Sequence, residues 1–436
     1  MRIEAQRKSL FIKSYAVSRD NLINGTSNKE GVGNIHYGDI HATFSTPSID
    51  LKKVSVPMVK DRGFTPKSGD YLIDGDLIMA DVSEDYAGIG VTVSVHGLNG
   101  KKIVGGLHTF VLRDKKHKTD EYFRQYLFRN PKIRNSLQKV ANGVSVYGIS
   151  KSAVSKLPLP IPPFPEQKRI VAVLETWDRT VEKLTKKIEA KKAIKKGLRQ
   201  KLLTGKTRLH GFKDKWKDIE VGKVFCFLKT YAISRENLIN NTPNSQGVGN
   251  VHYGDIHSTY GSSSIDLKNT SIPSIKDVNF TPNAKDLLIN GDLIMADVSE
   301  DYEGVGITIS IHGLENKKAV GGLHTFVLRD NSRRTDERYR QYIFQNQYVR
   351  NRLRKIANGV SVYSISKNNL LKFPLCLPSV PEQAAIAKVL IATDKEIERL
   401  EQKLSLLTNQ KKYLLNNLIT GAIRTPETLS VNSKNI

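Results

Sequence analysis

The chain has 436 residues, with 68 Lys and Arg against 43 Asp and Glu, a formal net charge of +25, and 39% hydrophobic residues. This is too apolar for a disordered chain and too polar for a membrane protein, and it makes a polyanion the default partner ahead of an anionic membrane surface. The start MRIEAQRKSLFI contains no signal peptide or membrane span, and the two distant cysteines, Cys226 and Cys376, exclude a disulfide framework and a cysteine-rich zinc site and fit a reducing cytosol.

Residues 1–160 are Gly-rich, with short apolar runs such as Leu77-Ile78-Met79 and Val91–Val95 and turn signals such as Asn99-Gly100. Helical patterning starts only at about Asp120 and runs to Val140, which predicts a mixed α/β domain with strands first. Prolines 158, 160, 162, 163 and 165 close it, because none can continue a strand or helix. Residues 161–210 read as a central helix. Ile170, Leu174, Trp177, Val181, Leu184 and Ile188 are spaced 4, 3, 4, 3 and 4 apart, a heptad seam; Ile194, Leu198 and Leu202 follow in a shifted register. Gly205 marks the stop, and a helix from Glu166 to Leu203 would be roughly 55 Å long.

Residues 211–376 form a second mixed domain. A second helix within 377–424 carries Ile386, Leu390, Thr393, Ile397, Leu400, Leu404 and Leu407, then Leu414 and Leu418, and stops at Gly421. Residues 425–436 read as a flexible tail. The fold class is therefore α+β: two duplicated mixed α/β domains separated by two long helices. Each apolar stripe needs cover, and the expected cover is the other helix, in an antiparallel coiled coil.

The duplication is explicit. His36–His41 returns as His252–His257, Met79–Tyr86 as Met295–Tyr302, Gly106–Phe110 as Gly322–Phe326, and Asn142–Tyr147 as Asn358–Tyr363, each displaced by 216 positions. Across residues 13–160 roughly two thirds of positions are identical. The constant offset makes this a duplicated domain and linker rather than a solenoid.

Catalytic strings are absent. Ile161-Pro162-Pro163-Phe164 resembles an amino-methyltransferase loop, but Ile161 cannot accept a hydrogen bond from a target amine. Gly205-Lys206-Thr207 follows a helix where a phosphate-binding loop needs a strand. Gly88 and Gly90 form a bare GxG, and Asp50-Leu51-Lys52 lacks the upstream acid of a nuclease. A self-sufficient methyltransferase or nuclease is the enzyme-class rival, and a stand-alone tandem DNA-binding regulator is a third reading. His36, His41 and His108, repeated at 252, 257 and 324, read as structural histidines against a metal alternative, so no metal is expected.

Base contact is expected from two polar clusters. Ser83-Glu84-Asp85-Tyr86, repeated as Ser299, Glu300, Asp301 and Tyr302, follows the run Leu77–Val82. Its acids either accept from cytosine N4 or cap a turn. Asn142, Ser145 and Tyr147, repeated as Asn358, Ser361 and Tyr363, lie in a Gly-containing string suited to close groove approach. Arg19, its copy Arg235, Lys101, Lys102 and Arg113 are candidate phosphate contacts. The segment 166–206 has 13 basic and 5 acidic residues, either a solvated face or one that tracks DNA without reading it.

The arrangement as a whole resembles the specificity subunit of a type I restriction–modification enzyme. The resemblance is carried by Pro160–Gln167 with Ile170, Leu202-Leu203-Thr204-Gly205, and the copies Pro378, Pro381-Glu382-Gln383, Ile386 and Leu418–Gly421. It implies two target recognition domains, each reading half of a bipartite double-stranded DNA site, and helices that space them and dock two adenine methyltransferase subunits. Those subunits bind S-adenosylmethionine, this one binds no cofactor and is non-catalytic, and restriction subunits join the same cytoplasmic complex. One departure stands out: Gly211–Trp216 leads into the second domain, whereas Met1 aligns with Lys217, so the first copy has no such lead-in.

Overall fold

The computed structural model describes residues 11–23, 31–44, 46–239, 247–260 and 263–429. The start of the first domain, on which the missing lead-in bears, and residues 430–436 of the expected tail lie outside them. The chain divides into two compact units, 1–185 with 402–436, and 186–401. Each unit therefore holds one globular segment together with part of each long helix, so the compact units cut across the linear division into domains and spacers.

The first unit contains a five-stranded sheet in the order Phe11–Ile12, Thr109–Leu112, Leu77–Ala80, Thr92–His96, Ser48–Asp50. A four-stranded sheet runs Leu22–Ile23, Met58–Val59, Gly33–Ile35, Ile103–Gly105. Pairing is antiparallel except at Gly33–Ile35 with Ile103–Gly105 and Ser48–Asp50 with Thr92–His96. The strands Leu77–Ala80 and Thr109–Leu112 are buried at every position, as expected of sheet strands covered on both faces.

The helical stretch expected over 120–140 is two helices, Glu121–Leu127 and Pro131–Lys139. The break is local chemistry: Asn130 caps the second helix through Lys132 and Ile133 N–H, and Pro131 fits its first position. A short helix, Lys151–Ser155, was not expected. The second unit repeats the pattern and adds a strand pair, Lys217–Glu220 with Pro374–Leu377.

The long helices run Phe164–Leu203 and Val380–Thr420, and Gly205 and Gly421 follow with φ of 68° and 74°. The heptad residues do not behave alike. Ile170 and Leu174 join the globular core with Phe123, Tyr126 and Leu137, alongside Leu415, Leu418 and Ile419 of the second helix. In the second unit Ile386 and Leu390 join Tyr339, Tyr342, Leu353, Leu202 and Leu203 in the same way. These positions are thus domain core shared by three partners, not a two-helix seam. Ile188 and Ile397 are buried, whereas Trp177, Val181, Leu184, Leu400 and Leu404 are half-buried and Ile194 is exposed.

Ion pairs link the helix segments inside each unit. Lys191 meets Glu396 at 2.8 Å and Lys192 meets Glu401 at 2.6 Å in one; Lys411 meets Asp178 in the other. Asp178 also accepts from Tyr126 OH, and its counterpart Asp394 from Tyr342 OH, which ties the globular part to both helices.

The Pro-Glu-Gln string has a structural explanation. Gln167 is fully buried, and its Oε1 accepts from Asp120 N–H at 2.7 Å while Nε2 donates to the carbonyls of Lys118 and Pro162. Gln383 repeats all three bonds with Asp336, Arg334 and Pro378. Glu166 is bound by Arg424, and Glu382 by Arg208 and Trp216 Nε1.

Candidate nucleic-acid interface

The expected strand Leu77–Val82 is split at Asp81. Leu77–Ala80 stays in the five-stranded sheet, and Val82–Ser83 turns out to pair antiparallel with Tyr147–Gly148. The two polar clusters, about sixty positions apart in sequence, therefore form one surface, with Ser83 opposite Tyr147. Tyr86 meets Tyr147 edge-on at a ring separation of 5.4 Å. The second unit repeats both features with Ser299, Tyr302 and Tyr363, the rings 5.2 Å apart.

The string Asn142–Tyr147 is a hairpin tip, closed by reciprocal backbone bonds between Asn142 and Gly148 at 2.9 and 2.8 Å. Gly143 has a φ of 132°, and a Cβ there would lie 1.9 Å from the Val146 carbonyl oxygen, so the tight tip needs glycine. Asn142 and Ser145 are exposed, and Val144 is 90% exposed. Asn358, Ser361 and Val360 repeat this.

The acidic cluster divides. Ser83 is buried and its hydroxyl accepts from Asp85 N–H; the Asp85 carboxylate in turn accepts from Gly88 N–H. Ser299 and Asp301 form the same turn. Glu84, Tyr86, Glu300 and Tyr302 face solvent. Gly88 is a packing glycine rather than part of a nucleotide loop, because a Cβ would lie 2.2 Å from Ser83 Oγ.

The basic candidates are placed as follows. Arg19 is half-exposed and pairs with buried Asp39 at 2.7 Å, and Arg235 pairs with Asp255 at 2.6 Å. Lys101 donates to the Leu51 carbonyl, and Lys102 is exposed. Arg113 corrects expectation: only 14% exposed, it donates to both oxygens of buried Asp76 and to the carbonyls of Gly69 and Tyr71, so it braces the fold and offers no face to a phosphate.

Among the histidines, His36 caps the helix Tyr37–Ala42 by accepting from Gly38 N–H, and burial pushes its pKa down, consistent with a neutral acceptor ring. His41 Nε2 lies 3.2 Å from the Val82 carbonyl oxygen. His108 differs: its ring is about half exposed, and its Nδ1 stands 3.6 Å from Asp81 Oδ1. Sequence reasoning missed the Asp81–His108 pair. Asp81 lies inside a repeated string that reads as strand, and His108 reads from sequence as one of the structural histidines.

Among the described residues no group of three or more His, Cys, Asp or Glu is arranged to hold a metal, and no helix is long and apolar enough to cross a membrane.

The family model for the type I restriction modification DNA specificity domain matches twice, over residues 26–192 and 213–409. A putative type I restriction enzyme MjaX specificity subunit from Methanocaldococcus jannaschii is 25% identical over 414 residues, covering 92% of this chain and 90% of that one. The type I restriction enzyme EcoKI specificity subunit of Escherichia coli is 23% identical over 312 residues, 69% of this chain and 64% of that protein. In fold, the HsdS subunit from Thermoanaerobacter tengcongensis superposes with a TM-score of 0.50 at 19% identity, covering 90% of both chains. A chain from a study of complex assembly and conformational transition of the type I R-M system gives 0.55 at 15% identity, covering 90% of this chain and 92% of that one. With the specificity domain present in both repeats and spanning most of its length, the chain belongs to the family of type I restriction–modification DNA specificity subunits.

Proposed function

We propose that this chain supplies base recognition to a type I restriction–modification assembly without catalysing a reaction itself. Each recognition domain reads one half of a bipartite site in double-stranded DNA. The long helices, paired antiparallel as a coiled coil between the domain cores that take up their ends, set the spacing of the halves and dock two adenine methyltransferase subunits, which bring S-adenosylmethionine. Restriction subunits join the same complex in the cytoplasm. The observation that carries this reading is the double occurrence of the same exposed surface: the Asn142–Tyr147 hairpin with Glu84 and Tyr86, and its copy Asn358–Tyr363 with Glu300 and Tyr302, each inside a matched specificity domain.

The likeness of the two domains sharpens the proposal. Like readers meeting opposite strands favour an interrupted, near-palindromic site with one adenine methylated on each strand. The few differences include Pro47 against Ser263, Lys53 against Asn269, and Gly148 against Ser364. Mapping methylated positions in the host genome tests this. Two unrelated half-sites would refute the symmetric site and move readout to the positions that differ. Methyl transfer to DNA by the purified chain with S-adenosylmethionine alone would refute the non-catalytic role.

A further inference from the structure

The hairpin tip is apolar and open to solvent. Val144 is 90% exposed and Val146 55%, and Tyr86, which meets Tyr147 at the foot of the hairpin, is 46% exposed. In the second unit Val360, Val362 and Tyr302 are exposed in the same way, Val360 again by 90%. The copies differ at roughly a third of positions, yet Gly143–Tyr147 returns unchanged as Gly359–Tyr363. Large apolar side chains grouped on an exposed surface mark a contact site. The tip carries no charge, but exposed Lys139 and Lys151 stand before and after it in sequence, as Lys355 and Lys367 do in the copy.

The backbone limits what this tip can enter. Asn142 and Gly148 exchange both of their backbone bonds, and Gly143, with a φ of 132°, turns the chain just before Val144. The result is a narrow two-stranded ribbon. With strands about 4.8 Å apart and side chains on both edges, such a ribbon fits the major groove of DNA, about 12 Å wide, and not the minor groove, about 6 Å wide. Lysines at its feet and an uncharged tip suit the same entry, because phosphates line the walls of the groove and base edges form its floor.

On that floor all four bases present hydrogen-bonding groups, and only thymine adds an apolar one, its C5 methyl. A valine pressed onto any other base edge covers a donor or acceptor without pairing it, which costs free energy. Against the thymine methyl, both apolar groups leave water. We propose that Val144 and Val360 each read one thymine in their half-site by packing on its C5 methyl. Almost wholly in solvent, each valine reaches the groove floor without rearrangement of the fold. The contact is worth about as much as one buried methylene, about fourfold in affinity per half-site and about fifteenfold for two. This rests on the reading of the chain as the DNA-recognition subunit.

The test uses the full chain co-assembled with methyltransferase partners. The wild type first selects its consensus from randomised duplexes. Each thymine of that consensus is then replaced in turn by deoxyuridine, which removes the methyl and keeps every hydrogen-bonding group. One position in each half-site should weaken binding about fourfold, and both together about fifteenfold. Val144→Ala with Val360→Ala should bind the thymine duplex more weakly by a similar factor and lose most of the distinction between thymine and deoxyuridine at those positions. A folding defect does not produce that coupling. Indifference of the wild type to deoxyuridine at every thymine overturns the proposal while leaving DNA recognition standing; so does full methyl discrimination by the alanine variant. Loss of co-assembly in the alanine variant also overturns it, by placing the tip on a protein partner. Recognition itself fails only if the wild type selects no sequence at all.

Discussion

Arg424 grips Glu166 across 258 positions of sequence, its Nε and Nη2 reaching the two carboxylate oxygens at 2.6 and 2.5 Å. Arg208 holds Glu382 in the same fork. In both cases an arginine three residues beyond the glycine that stops one long helix clasps the glutamate in the first turn of the other.

The two partners are unequal, and that gives a prediction. The Glu166 carboxylate is 3% exposed and the Arg424 side chain 65%. Arg424→Ala leaves a covered carboxylate without its partner and should be the more destabilising of the two changes. Glu166→Gln releases an arginine that is mostly in water already and should cost less. Denaturant melts of the two variants check the order; equal losses contradict it.

The same fork sets a pH dependence. The Arg424 guanidinium holds the Glu166 carboxyl below the usual carboxylate range, outweighing burial, with the Thr425 N–H and Arg169 acting in the same direction. A depressed folded-state pKa stabilises above the unfolded value of about 4.3 and loses that contribution as pH falls through the folded one. Between about pH 5 and 3 the wild-type melting temperature should drop more steeply than that of Glu166→Gln, as calorimetry at several pH values would show.

Helix residues that look equivalent in the heptad pattern should differ on truncation. Leu174 is fully buried in the domain core, so Leu174→Ala should cost about 2–5 kcal/mol. Leu184 is half-buried, and Leu184→Ala should cost about 1 kcal/mol or less. Matching losses would mean that the helix middle is packed as tightly as its ends.

Gly143→Ala with Gly359→Ala tests the hairpin tip. The added methyl carbon meets a carbonyl oxygen at 1.9 Å in each copy, so the tip must rearrange. The tip is exposed, so global stability should change by about 1 kcal/mol or less. Affinity for the cognate duplex should fall about tenfold or more, with non-specific binding kept. Competition between cognate and random duplexes reads this out, and undiminished cognate affinity would remove the hairpin from the interface.

Salt addresses the net charge of +25. If it is deployed along phosphates, affinity should fall about tenfold or more for each few-fold rise in salt. A binding curve flat from low to physiological salt would contradict this.

What could be read from sequence was local. Gly205 and Gly421 stop helices wherever a periodic pattern ends, so both helix ends were visible, as were the strands around Leu77 and Val93. The joining of Ser83 to Tyr147 was not, because antiparallel pairing across some sixty residues leaves no mark in either string. The role of Arg113 is hidden for the same reason: its partner Asp76 lies 37 positions away, and an arginine clamped by a buried carboxylate looks like any surface arginine in one dimension. Ile170 and Leu174 obey a heptad whether they face another helix or a domain.

Gln167 adds a point about chemical asymmetry. Glutamate and glutamine are nearly the same size and shape, and a Glu166-Gln167 pair has the same charge and hydropathy as its reverse. Yet the buried site at 167 faces two carbonyl oxygens and one N–H, and only an amide, with donors at one end and an acceptor at the other, satisfies all three. A carboxylate there would press like against like. The order of two isosteric letters, invisible to composition or hydrophobic pattern, therefore encodes the joint between recognition domain and helix, and exchanging them would dismantle it without altering any bulk property of the chain.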